Sequence, residues 1–86
     1  MKERATLIDR HLGRRVRARR VELGMSLQRL GGEVGVTGDQ VEAYEGGHAR
    51  MSAAILFKIT ETLQMPLPDL FEGLSAAVQP AQQKRS

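Results

Sequence analysis

Ser26-Leu-Gln-Arg-Leu-Gly-Gly-Glu-Val-Gly-Val-Thr-Gly-Asp-Gln-Val-Glu-Ala-Tyr-Glu-Gly-Gly47 reads as two short helices joined by a turn at Gly35-Val36-Thr37. Ser26 is placed to cap the first of them, in which Leu27, Leu30 and Val34 share a face and Gly31 permits close approach of another backbone. Gly32 has no such purpose, and a glycine inside a helix costs about 1 kcal/mol relative to alanine. Thr37 can cap the second helix, expected over residues 38–45 before Gly46-Gly47 stops it. This is a helix-turn-helix spacing, which holds the second helix proud of a domain as a probe for the major groove of DNA.

Periodicity fixes which way that probe helix faces. With Val41 taken as inward, Tyr44 and Glu45 lie within about 60° of it, whereas Asp39 and Ala43 point nearly opposite and Glu42 lies to the side. Glu45 is therefore expected in the core, where an unpaired carboxylate is costly. Upstream, Ile8, Leu12, Val16 and Leu23 recur at helical spacing and predict a helix over residues 8–23 ended by Gly24. Arg19 and Arg20 both fall near that stripe, so one of them is expected to leave water and meet Glu45.

Downstream, Ser52 caps a predicted helix with Leu56, Ile59 and Leu63 inward and Pro66 at its limit. Ile55 and Phe57 flank this stripe on opposite sides, outside the expected core. Pro68-Asp-Leu-Phe-Glu72 predicts a last short helix ending at Gly73. Residues 1–7 read as a basic extension, 8–73 as one domain with its motif at 26–45, and 74–86, rich in Ala, Gln and Ser, as a mobile tail. No strand pattern and no internal repeat is present, so the expected fold is an all-α bundle of five helices.

The charge is asymmetric. Residues 1–20 carry eight Lys/Arg against two acids, a balance of +6, while residues 21–74 carry three against eight, a balance of −5, and the overall charge is +3. A basic first helix preceding an acidic body suits a polyanion or an acidic partner, or simply a solvated arginine-rich face. His11, on that helix, reads as a surface group. The absence of cysteine excludes disulfides and thiolate metal sites, and two isolated histidines make no metal cluster, so no metal or cofactor is expected. Without an apolar signal segment or membrane span, a reducing cytoplasm is the expected compartment. Enzymatic function is not expected either: no carboxylate pair, Ser/His/Asp set or phosphate-cradling glycine loop can be placed.

From Arg10 to Gly73 the chain resembles the five-helix DNA-binding domain of the phage repressor and Cro family, also called the XRE family. The matching residues include Leu12-Gly-Arg-Arg-Val-Arg-Ala-Arg-Arg20, Gly24-Met-Ser26, Leu30-Gly31, Gly35-Val-Thr37, Val41, Tyr44-Glu45, Gly47, Arg50 and Leu63-Gln-Met-Pro-Leu-Pro-Asp-Leu-Phe-Glu-Gly73. The resemblance implies that Arg20 is the core arginine and Glu45 its acceptor. It implies a homodimer on double-stranded DNA, with two half-sites about one turn apart and the helix at 38–45 in the major groove. Phosphates would be met by Arg50 and His48 in the loop after Gly47, and the dimer or partner surface would use Ile55, Phe57, Leu67 and Leu70.

Departures from the pattern weaken base reading. Many relatives begin the second helix with a glutamine that clasps a phosphate, where this chain has Leu27. The base-facing positions hold Gly38, Asp39, Gln40 and Ala43: glycine donates nothing, alanine offers a methyl, aspartate can accept from cytosine, and only Gln40 suits adenine. Three acids and no lysine or arginine lie between Thr37 and Gly47, which removes the cationic drive that dominates affinity for DNA. Two functions are therefore carried forward: a DNA-binding transcriptional regulator, and a protein-binding adaptor or antagonist of a second regulatory protein.

Overall fold

A computed structural model describes residues 6–73. Within them the chain forms five helices: α1 (Leu7–Glu22), α2 (Leu27–Val34), α3 (Gly38–Glu45), α4 (Ala53–Leu63) and α5 (Leu67–Leu70). The sequence expectation of a mobile tail at 74–86 lies outside the described residues, as do the first five residues of the expected basic extension.

Each of the first four helices starts where a hydroxyl satisfies an orphan amide. Ser26, Thr37 and Ser52 accept from the backbone N–H three residues on, as their positions in the sequence suggest. Helix α1 begins one residue earlier than its apolar spacing implies, because Thr6 and Asp9 form a reciprocal capping box. Helix α5 is shorter than expected and starts at Leu67. Beyond Leu70 the chain continues as turns, with Phe71 N–H on the Pro68 carbonyl and Glu72 N–H on that of Asp69.

Leu30, Ile59, Leu63, Leu70, Val16 and Val41 are the fully buried centre, drawing on all five helices, with Leu12, Val34, Tyr44, Met51 and Met65 around them. Ile8 and Leu23, assigned to the inward stripe of α1 from spacing, are each 42% exposed. They lie at or just beyond the ends of α1, past the elements that would cover them. Leu70 corrects the expectation of a surface residue: it is fully buried, because a helix of four residues presents one apolar side chain inward or has no anchor at all. Ile55 is corrected in part, being half-buried against the core cluster. His11 is not a surface group; it is buried and its Nε2 donates to the Glu72 carbonyl at 2.8 Å, tying α1 to the turns that follow α5.

Two glycines set how closely the helices approach α3. A Cβ on Gly31 would lie 2.6 Å from the Val36 carbonyl oxygen, and one on Gly13 would lie 2.6 Å from that of Glu45. Neither position can accept a side chain without backbone movement. Gly31 thus fixes the turn between α2 and α3, and Gly13 presses α1 against the last turn of α3.

Candidate nucleic-acid interface

The probe helix is held from below by an ion pair. Arg20 Nε donates to Glu45 Oε2 at 2.6 Å and Nη2 to Oε1 at 2.9 Å, while Nη1 donates to the Met25 carbonyl at 2.7 Å. The two side chains are only 12% and 5% exposed. Hydrogen bonding to Glu45 raises the Arg20 pKa further above its ordinary value, against the opposing effect of burial, so the guanidinium is charged at every relevant pH. All three of its nitrogens are engaged within the fold, which makes Arg20 a structural link between α1, the α1–α2 turn and α3.

On the outward side, Asp39 and Gln40 are exposed, and Gly38 and Ala43 are half-buried. Gln40 Nε2 reaches its own helix at Tyr44 Oη, 3.5 Å away. Gly38 sits beneath Gln28 of α2, whose side-chain amide lies 3.1 Å from where a Cβ would be. Gln28 is exposed and lies beside the residues expected to face bases, a position that sequence spacing does not single out.

Cations reach the C-terminal end of α3 from elsewhere in the fold. Arg17 of α1 lines a cleft of about 270 Å³ together with Arg20, Leu27, Glu42, Glu45 and Gly46. Arg10 lies over Gly47, its Cα 2.9 Å from where a Cβ there would stand. Both arginines are exposed, and neither makes an ion pair among the described residues. They flank the C-terminal end of α3, where Arg17 brings positive charge beside Glu42, while Asp39 lies at the opposite end of the helix. Nothing in the α3 sequence signals this. It follows from the close crossing of α1 and α3 at Gly13.

His48 is exposed in the loop after α3, and its N–H closes the helix end on the Ala43 carbonyl. Arg50 is 59% exposed but leans toward Asp9, with Nε 3.5 Å from Oδ2. Burial pushes the Asp9 carboxyl up, yet the Thr6 amide and hydroxyl and the Arg50 charge outweigh it and leave the pKa below the usual carboxylate value. Arg50 therefore has a partner already, though a loose one. Phe57 is 62% and Leu67 50% exposed. Together with Thr60, Glu61, Gln64, Met65 and Pro66 they line a shallow groove of about 400 Å³ at the α4–α5 corner, remote in sequence from the helix-turn-helix.

A family model described as a helix-turn-helix domain matches residues 11–72. The chain belongs to the helix-turn-helix domain family. The chain is 41% identical over 71 residues to an uncharacterized HTH-type transcriptional regulator of Sinorhizobium medicae, covering 83% of this chain and 51% of the relative. It is 37% identical over 67 residues to an uncharacterized transcriptional regulator in the ATPase CF(0) region of Rhodospirillum rubrum, covering 78% and 62%. The chain thus spans roughly half to three fifths of the length of these relatives. Among solved structures, the clp gene regulator ClgR from C. glutamicum shares the helix-turn-helix fold with a TM-score of 0.74 at 19% identity, over 90% of this chain and 97% of that one. The all-α five-helix expectation drawn from periodicity is met, and so is the resemblance to a helix-turn-helix DNA-binding domain. Among the described residues, no helix is long and apolar enough to cross a membrane.

Proposed function

We propose that this helix-turn-helix protein is a DNA-binding transcriptional regulator, acting in the cytoplasm as a homodimer with α3 of each protomer in the major groove. The observation that carries this reading is the pair of exposed arginines, Arg10 and Arg17, at the C-terminal end of α3, which supplies phosphate attraction that α3 itself lacks. Arg50 and His48 extend the rim along the loop. Base reading rests on few groups: Gln40 and Gln28 as amide donors and acceptors, Asp39 as an acceptor, and the Ala43 methyl. Affinity in this reading comes mostly from the backbone, and specificity is modest. Phe57, Leu67 and the groove beside them form the dimer surface, while Ile55 and Leu70 support it from within.

Titration of fragments from the protein's own genome at several salt concentrations tests this. Preferred fragments are expected, and Arg17→Ala and Arg10→Ala should each weaken binding to all sequences while lowering the salt slope by about one. Equal affinity for every fragment, or no binding at low salt, overturns it.

A second reading is favoured by the acids on α3. Asp39 and Glu42 are exposed with no cation on the same helix, a face better suited to a basic protein surface than to phosphates. The protein would then act as an adaptor or antagonist, using the Phe57 groove to hold another regulator. Loss of a specific co-purifying regulator in Phe57→Asp, with DNA binding absent in the unmodified chain, would favour it.

A further inference from the structure

Helix α1 has an outer face that the core does not use and that meets the proposed DNA rim only at its edge, at Arg17. Leu7, Arg14 and Val21 recur every seven residues and so fall on nearly one line along the helix, directly opposite the buried Leu12 and Val16. Leu7 is 54% and Val21 57% exposed, with Ala18 and Arg14 exposed between them. Arg14, Arg15, Arg17, Ala18 and Val21 line a shallow depression of about 560 Å³. Arg14 makes no ion pair among the described residues, whereas Arg15 is held by the Asp69 carbonyl and Glu72.

The geometry points to α1's outer face as a docking site for an acidic amphipathic helix of a partner protein. The face is apolar at both ends and cationic in the middle, over about 21 Å. A helix lying along it would bury Leu7 and Val21 against its own apolar residues and set carboxylates opposite Arg14. Duplex DNA does not fit this pattern, because phosphates would engage Arg14 but leave Leu7, Ala18 and Val21 in water. A second copy does not fit either: two antiparallel α1 helices centred here would set Arg14 against Arg14, and like charges meeting at an interface are costly.

The test uses the full chain and a labelled synthetic peptide of about 20 residues, leucine at every seventh position and glutamates between, measured by fluorescence anisotropy. Saturable binding is expected, and Val21→Asp or Arg14→Glu should each weaken it by about tenfold or more. A peptide carrying lysines in place of the glutamates should bind Arg14→Glu in preference to the unmodified chain. Both positions are exposed, so unchanged thermal melts will show that the variants fold, and affinity for preferred DNA fragments should not change with the uncharged Val21→Asn, which sets no carboxylate one turn from Arg17. No binding, equal binding of a scrambled peptide of the same charge, or no effect of Val21→Asp overturns the proposal. So does self-association that Val21→Asp abolishes, which would make a second copy the occupant, or loss of DNA affinity with the uncharged Val21→Asn, which would make the face part of the DNA surface.

Discussion

Two arginine–carboxylate junctions join α1 to the region of α3, and they differ in kind. At Arg20–Glu45 both side chains are buried, two parallel hydrogen bonds form, and the third nitrogen is held by the Met25 carbonyl. At Arg50–Asp9 the carboxylate is buried and capped by Thr6, but the arginine is 59% exposed and 3.5 Å away. The same pair of functional groups thus serves once as a fixed joint and once as a loose tether. Burial of the cation and the number of its donors already engaged separate the two, and they decide which arginine is free to meet a phosphate.

The largest effect that could break this contrast is Arg20→Ala. Stranding Glu45 in the core should cost about 3–5 kcal/mol in a urea melt, and a midpoint like that of the unmodified chain would show that the joint is not holding α3. Replacing both partners sharpens the point. Arg20→Met with Glu45→Leu should recover more than half of that loss, because no buried charge is left unpaired; a double variant as unstable as Arg20→Ala would place the energy in the Met25 contact instead.

Asp9→Asn should cost about 1–2 kcal/mol at pH 7, since a hydrogen-bonded carboxylate is replaced by an amide. The lowered Asp9 pKa makes this dependent on pH. Its stabilising effect is complete above the unfolded value near 3.9 and is lost as pH falls through the lower folded value. Melts from pH 7 down to pH 2 should therefore show a shallower acid limb in Asp9→Asn than in the unmodified chain, and parallel curves would contradict the assignment. The smallest effect belongs to Arg50→Ala. Solvent screening of an exposed cation limits its stability cost to under about 1 kcal/mol, while the salt slope for DNA should fall by about one. A stability loss as large as that of Arg20→Ala would erase the distinction between the junctions.

Much of the helix-turn-helix was legible in the chain because its signals are local. Ser26, Thr37 and Ser52 mark helix starts through a hydroxyl acting three residues ahead, and the inward angle of Glu45 follows from Val41 alone. What was not legible depends on how distant segments return. His11 is buried because the turns after α5 bring the Glu72 carbonyl over it, and no spacing within α1 announces that. Leu70 belongs to a helix too short to show a period. Arg10 and Arg17 come beside the end of α3 only through the α1–α3 crossing, whose closeness is set by Gly13. Its role is invisible until the Tyr44 and Glu45 carbonyls are seen against it.

Gly13 and Gly31 have a joint consequence for how such a protein can be retargeted. Backbone clasps α3 at both ends, so its position does not depend on the side chains it shows to solvent. Asp39 is exposed and carries no packing duty, and Ala43 contributes only a methyl. The outward letters of the helix can be rewritten, toward arginine, asparagine or serine, while the frame that presents them stays still.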